Sequence, residues 1–305
     1  MTSTEPLPPT GPRIRSLWGR IILALVSFFT LATVLVFVYL SGRGLPDAET
    51  EPEEALEILR AILEEPQVLT TMLCLQALAG LATVVLMRRL VDRKSLWTLG
   101  IGRRGVGFGT VGWGILLGVV LASVVSLFIS AVGGRHLRLD LFAEWPATWV
   151  GLLGLIVVAA AFMEEWLFRG YMYVNFREGY SAPRAILLSA LAFSAFHATN
   201  PGGSPLAWVN ILLVGIVLGQ LRELTGGIEA SFGLHLGWNF ALGMVFGVPV
   251  SGLTLPSVFN VSLLDLPDAL SGGSFGPEAS AVLTVVFGAM AVVLARRLMP
   301  PEEGA

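Results

Sequence analysis

The chain has 305 residues, of which 54% are hydrophobic and 13% charged, with a formal net charge of −3. Soluble domains run near a quarter charged, so this composition excludes an ordinary water-soluble enzyme. The small net charge, without a dense basic patch, argues against a nucleic-acid partner. One cysteine, Cys74, rules out an internal disulfide and any site that needs two thiolates.

Residues 1–12, rich in Thr, Pro and Glu, predict a disordered tail. Arg13, Arg15 and Arg20 then precede an apolar run from Ile21 to Leu40. It is longer than a signal-peptide core and lacks a small-x-small cleavage site, so it reads as a retained first span. Residues 46–66 carry eight acidic side chains (Asp47, Glu49, Glu51, Glu53, Glu54, Glu57, Glu64, Glu65) around Leu56, Leu59 and Ile62, the spacing of a short surface helix. A second span is predicted over 68–90, followed by a basic connector with Arg88, Arg89, Arg93, Lys94, Arg103 and Arg104. A third covers 107–132, and its Gly105/Gly109 and Gly114/Gly118 pairs predict close helix approach.

The fourth span, 147–176, exceeds the roughly 20 residues needed to cross lipid. A fifth runs 183–199, a sixth 206–221 with Gly215/Gly219, and a seventh 228–246 with Gly233/Gly237 and Gly243/Gly247. Residues 248–278 form a Pro/Gly/Ser loop without Lys or Arg, and an eighth span covers 280–298. The expected fold is therefore all-α, a polytopic transmembrane helical bundle of about eight spans. It divides into a tail (1–12), two N-terminal spans with their connectors (13–104), span three and an outer loop (105–146), a core of spans four to seven (147–247), a second outer loop (248–278) and a closing span (279–305). With the N-terminus in the cytoplasm, 15 of the 19 Lys and Arg residues fall on the inner side. The positive-inside rule then predicts an integral, multi-pass protein of the cell membrane with both termini cytoplasmic.

Few strongly polar groups are left at membrane depth: Glu164, Glu165 and Arg169 in the fourth span, His197 in the fifth, His235 and Asn239 in the seventh. Three ionisable groups in a turn and a half would cost roughly 8–10 kcal/mol uncompensated, so the default reading is a functional site. On a rise of about 1.5 Å per residue, Glu164, His197 and His235 fall near one depth. Glu165 and Arg169 are four apart and can pair on one face, whereas Glu164 is rotated about 100° from Glu165. His235 and Asn239 share a face, and Phe193 lies one turn before His197 as a packing residue.

The set suits hydrolysis of an acyl bond. A buried Glu can take a proton from water, a His can hold that water or a metal, and a second His with an Asn can donate to a developing oxyanion. Glu164, His197 and His235 would also suit a catalytic Zn²⁺, although the His-Glu-x-x-His zinc motif is absent. Taken singly, each histidine reads as a core residue bonded to a backbone carbonyl; their joint occurrence with Glu164 and Asn239 points to the site. His136, beside Arg135 and Arg138, reads as solvated, and Ser194 lacks the context of a serine nucleophile.

Glu164-Glu165-x-x-x-Arg169, Phe193-x-x-x-His197 and His235-x-x-x-Asn239 resemble, in order and each on its own helix, the three motifs of the CAAX-protease and bacteriocin-processing (CPBP, also Abi) family of intramembrane endopeptidases. The connector Leu96-Trp97-Thr98-Leu99-Gly100-Ile101 resembles the segment that precedes this domain. The resemblance implies peptide-bond hydrolysis within the membrane. Glu164 would be the general base, His197 its partner on the attacking water, and His235 and Asn239 the oxyanion hole, with Glu165, Arg169 and Phe193 in support. It leaves Zn²⁺ open as a cofactor and implies, besides contact with membrane lipids, a peptide or membrane-protein substrate, lipidated or not. Two rival readings are a non-catalytic immunity or scaffold protein of the same fold and a proton-coupled transporter, the latter weakened by the lack of duplicated halves.

Overall fold

The computed structural model describes residues 11–46, 50–102, 107–133, 138–139, 141, 146–260 and 266–299. Residues 1–10 of the expected tail, Asp47 and Glu49 of the acidic segment, Arg103 and Arg104 of the basic connector, His136 and the last residues from 300 lie outside the described residues.

The helices start and stop where local chemistry dictates. Ser16 caps α1 (Leu17–Ser41), its Oγ accepting from Gly19 N at 3.1 Å. The acidic segment forms α2 (Pro52–Glu64), and α3 (Pro66–Leu86) runs on through a π-helical turn at Met87–Val91. After α4 (Phe108–Val132) comes α5 (Ala147–Glu165), prolonged by a π-helical turn (Trp166–Met172) and a last α-turn (Tyr173–Phe176). α6 (Ala182–Phe196) ends in a 3₁₀ turn at His197–Thr199. α7 (Pro205–Thr225) has Ser204 as N-cap, Pro205 in its first turn and Gly226 at φ +74° beyond its end, the left-handed position that favours glycine. α8 (Glu229–Asn239) passes into a π-helical turn (Phe240–Val245), and α9 (Ala281–Leu298) starts from the Ser280 cap. Two-residue strands at Arg138–Leu139 and Phe259–Asn260 pair antiparallel.

Among the described residues, six helical stretches are long and apolar enough to cross a membrane: Leu17–Ser41, Gln67–Val91, Phe108–Val132, Val150–Phe176, Pro205–Thr225 and Ala281–Leu298. This is a polytopic helical bundle. The expected fifth and seventh spans are helical but short: α6 has 15 residues and α8 has 11 before its π-helical turn. At about 1.5 Å per residue neither α-helix alone reaches the ~30 Å of a hydrocarbon core.

Small residues let the helices around the site touch. A Cβ on Gly114 would lie 2.6 Å from Ala230 O, and one on Gly118 2.3 Å from Leu234 O. From the other side, Cβ atoms on Gly233 and Gly237 would each lie 2.3 Å from the carbonyl oxygens of Val111 and Ile115. α4 and α8 thus meet backbone to backbone. Gly215 and Gly219 likewise admit Ala190 and Ile186 of α6. Gly109, flagged by its spacing, faces open space instead. Because the obstacle at Gly118 is backbone, Gly118→Ala should force α4 from α8 and cost about 1–3 kcal/mol. Gly112→Ala, with no atom within 4 Å of the new Cβ, should cost far less. Thermal unfolding of the two variants in one detergent checks this, and equal midpoints would contradict it.

One end of the bundle is tied by buried charge. Arg88 Nη1 bonds Asp92 Oδ2 at 2.9 Å, and Arg20 Nη1 bonds Asn175 Oδ1 at 2.5 Å and Asp92 Oδ1 at 3.4 Å. Arg20, Arg88, Asp92 and Asn175 are all buried, so α1, α3 and the end of α5 share one network. Removing a single partner would strand a buried charge, which is costly. At its rim Glu178 accepts from Arg20 (2.8 Å) and Lys94 (2.5 Å). Burial pushes the Glu178 carboxyl up, but these hydrogen bonds and charges outweigh it and hold the group below the usual carboxylate range.

Candidate active site

Glu164 and Glu165 are the last two residues of α5, immediately before the π-helical turn. Such wide turns interrupt the regular ladder and recur at functional sites. Here extra donors reach two of its carbonyls: Ser189 Oγ bonds Phe168 O at 2.8 Å and Arg222 Nε bonds Arg169 O at 3.2 Å. The turn is therefore held from both α6 and α7.

The two glutamates face different surroundings. Glu165 is fully buried; its Oε1 accepts from Arg169 Nη1 at 2.9 Å and from His235 Nδ1 at 3.0 Å. Glu164 keeps 15% of its side chain exposed and lines a cavity of about 130 Å³, room for several waters. Its Oε2 has no hydrogen-bond partner among the described residues and lies 3.7 Å from His197 Nε2 and 3.8 Å from His235 Nε2. Both separations are too long for direct hydrogen bonds.

Each imidazole is fixed through its other nitrogen. His197 begins the 3₁₀ turn that ends α6, where the carbonyl of Phe193 accepts from the ring Nδ1 at 2.8 Å. His235 Nδ1 faces the Glu165 carboxylate. Carbonyl and carboxylate oxygens only accept, so both Nδ1 atoms carry hydrogen. In the neutral rings, both Nε2 lone pairs then point towards Glu164.

Phe193 is the packing piece beneath them. Its ring lies 4.5 Å from that of His197 and meets His235 edge to face at 5.9 Å. The guanidinium of Arg169 sits 4.2 Å from its centroid, a cation–π contact that shields the Glu165–Arg169 pair. Arg169 also donates to Gly215 O at 3.3 Å.

α8 is set in place by its neighbours. Along its length it rests on α4 through the glycine seam. At its start Ile228 N donates to Gly100 O (3.0 Å) and Gly102 N to Glu229 Oε1 (2.7 Å). Gly100 has φ +88°, and a Cβ there would sit 2.5 Å from Arg222 Nη2. The connector 96–102 thus fixes the end of the helix that carries His235. One turn further, Asn239 lines the same cavity just before the π-helical turn Phe240–Val245.

Glu164, His197, His235 and Asn239 therefore surround one cavity, which Phe193 also lines, while Glu165 and Arg169 stand behind them. Ser194 Oγ donates to Trp208 O and serves the backbone. Four polar residues that the sequence did not single out also line the cavity: Gln76, Asn200, Ser251 and Glu278. The only sequence signal for Glu278 is an acidic residue just ahead of an apolar span, in a loop without basic neighbours.

Two imidazoles and one carboxylate make a suitable donor set for catalytic Zn²⁺, and the hydrogen bonds at both Nδ1 atoms are of the kind that orient metal-binding histidines. The separations of 3.7 and 3.8 Å exceed the ~3.3 Å between ligand atoms of a tetrahedron with bonds of about 2.0–2.1 Å. Among the described residues, no group of three or more His, Cys, Asp or Glu side chains is arranged to hold a metal ion. The donor types fit; the spacing is open.

Residues 145–241, which contain every one of these motif residues, match the family model of the type II CAAX prenyl endopeptidases, Rce1-like. No curated protein matches the chain.

Proposed function

We propose, for a chain that belongs through residues 145–241 to the Rce1-like family of type II CAAX prenyl endopeptidases, an intramembrane endopeptidase that hydrolyses a peptide bond with water activated by Glu164. The observation that carries this reading is the free, buried Oε2 of Glu164, faced by the Nε2 atoms of His197 and His235 inside a cavity.

In this reading a water between Glu164 and His197 loses a proton to Oε2 as its oxygen attacks the scissile carbonyl carbon. The carbonyl oxygen takes up the negative charge and is met by the Asn239 amide and by His235. His235 already gives its Nδ1 hydrogen to Glu165, so it donates from Nε2 only when both ring nitrogens carry protons. Collapse of the tetrahedral intermediate breaks the C–N bond, and Glu164 returns its proton to the leaving amine. Glu165 and Arg169 hold the His235 ring, and Phe193 supports both histidines. If Zn²⁺ takes part, Glu164, His197 and His235 would hold it, and it would supply Lewis-acid polarisation of the water and carbonyl.

Leu73, Ile156, Val157, Ile211 and Val214 give the cavity apolar walls, which suit a membrane-associated peptide with apolar or lipidated neighbours. We place both termini in the cytoplasm and count eight crossings, with α6 and α8 as short crossings packed against the longer helices. Arg20, Arg88, Arg169 and Arg222 are buried in protein; without them the inner side still holds 11 basic residues against 4.

The test compares membrane proteomes of cells making the wild-type chain and Glu164→Gln. Fragments present only with the wild type are expected; identical proteomes would overturn the reading. Zinc measured on the purified wild type and on the His197→Ala, His235→Ala double variant decides the metal: equal content rules out a site on these residues.

A further inference from the structure

Glu278 has no part in the chemistry above, yet it is a buried carboxylate on the wall of the same cavity. It sits in the 3₁₀ turn Pro277–Ala279, just before α9. Its Oε1 accepts from Trp238 Nε1 at 3.1 Å. Its Oε2 accepts from the backbone N–H of Ser251 and from Ser251 Oγ at 2.7 Å. Trp238 lies on α8 between His235 and Asn239 in sequence. Ser251 has φ +47°, a left-handed conformation that a serine adopts at a cost, so something must hold it there. The Ser251 carbonyl in turn accepts from Asn200 Nδ2 at 2.9 Å, three residues beyond His197.

Glu278 therefore joins three elements: α8 with His235 and Asn239, the turn at 250–253, and through Ser251 the end of α6 with His197. With three donors already on its two oxygens, it is poorly placed to act as a second base. Val250, Ser251 and Leu253 of the turn line the cavity, so its position sets the wall against which a bound peptide would lie.

We propose that Glu278 is a positioning residue, which anchors the Ser251 turn to the helix bearing His235 and Asn239 and thereby holds the substrate over Glu164. The inference rests on the hydrolase reading. Glu278→Gln keeps the size of the side chain but sets an amide NH₂ against groups that are themselves donors.

The test uses the full chain with Cys74→Ser and Leu253→Cys, in lipid nanodiscs, with and without Glu278→Gln. One measurement is the rate at which a water-soluble maleimide labels position 253; the other is cleavage of a library of internally quenched decapeptides. Labelling should accelerate at least about threefold as the turn is released. kcat should fall about 10–100-fold with KM held within about twofold, because the turn sets how the bound peptide is aligned over Glu164 while the remaining apolar walls still bind it. Trp238→Phe, which removes one donor only, carries the same expectations if Glu278→Gln does not fold. Unchanged labelling in the folded variant overturns the proposal whatever the activity does, and faster labelling with an intact kcat overturns the positioning role. A parent chain that cleaves no peptide, with labelling still accelerated by Glu278→Gln, defeats the hydrolase reading and keeps the anchor.

Discussion

Glu164→Gln is expected to lower peptide hydrolysis by about 10²–10⁴-fold, the usual contribution of a positioned base, and to leave stability within about 0.5 kcal/mol of the wild type. The two halves of this expectation come from one observation. Glu164 Oε2 has no hydrogen-bond partner among the described residues, so the change to an amide breaks no bond at that oxygen. It faces a cavity and two ring nitrogens at 3.7 and 3.8 Å, the place where the proposed reaction needs a base. An amide of the same shape fills the same space but accepts no proton. The measurement pairs turnover of quenched peptides with thermal unfolding on one preparation. Full turnover in the variant would remove Glu164 as base and favour a non-catalytic role of the same fold. Loss of turnover accompanied by unfolding would show that Glu164 is structural.

The bundle and the motif residues were legible in the sequence, while the geometry that ranks those residues was not. Long apolar runs separate cleanly from connectors, and charges stand out in them because lipid makes them expensive. That logic finds Glu164, Glu165, Arg169, His197 and His235 without any structure. It does not say which glutamate faces the cavity: the two are about 100° apart on the helix, and nothing local tells which direction is inward. The π-helical turn after Glu165 is equally silent, since Trp166–Met172 reads as ordinary helix by propensity. At α6 and α8 the apolar runs are longer than the α-helices, because they continue past the helix ends into a 3₁₀ turn and a π-helical turn. Arg20 and Arg88 looked like charges at a membrane surface, but they are buried against Asp92, a pairing across 72 residues for Arg20 that no local pattern encodes. Gln76, Asn200, Ser251 and Glu278 reach the cavity by the same kind of long-range return.

Glu165→Ala is expected to be the most destabilising single change at the site, by about 3–5 kcal/mol. Glu165 and Arg169 both have fully buried side chains, and the carboxylate oxygen Oε1 serves Arg169 and His235 together. Deleting it leaves the buried guanidinium with one hydrogen bond, to the Gly215 carbonyl at 3.3 Å, the face of Phe193 and the charge of Glu164, which is not hydrogen-bonded to it. That is a buried charge without its bonded counter-ion, the costly half of a broken ion pair. Glu165→Gln should cost less, because it keeps an acceptor oxygen for one of the two donors while losing the charge. Both variants should also lower turnover by about 10–100-fold, the effect of removing a partner that orients a reactive imidazole. With Nδ1 released from Glu165, the His235 ring is free to turn and to change tautomer, so its Nε2 no longer presents one fixed state to Glu164. Thermal unfolding in detergent orders the variants as wild type, Glu165→Gln, Glu165→Ala, with Glu164→Gln beside the wild type. If Glu165→Ala were as stable as the wild type, the Glu165–Arg169 pair would contribute nothing to the fold. The two adjacent glutamates would then differ only in chemistry. If Glu164→Gln and Glu165→Gln proved equal in both turnover and stability, the separation into a reacting and a supporting carboxylate would fail.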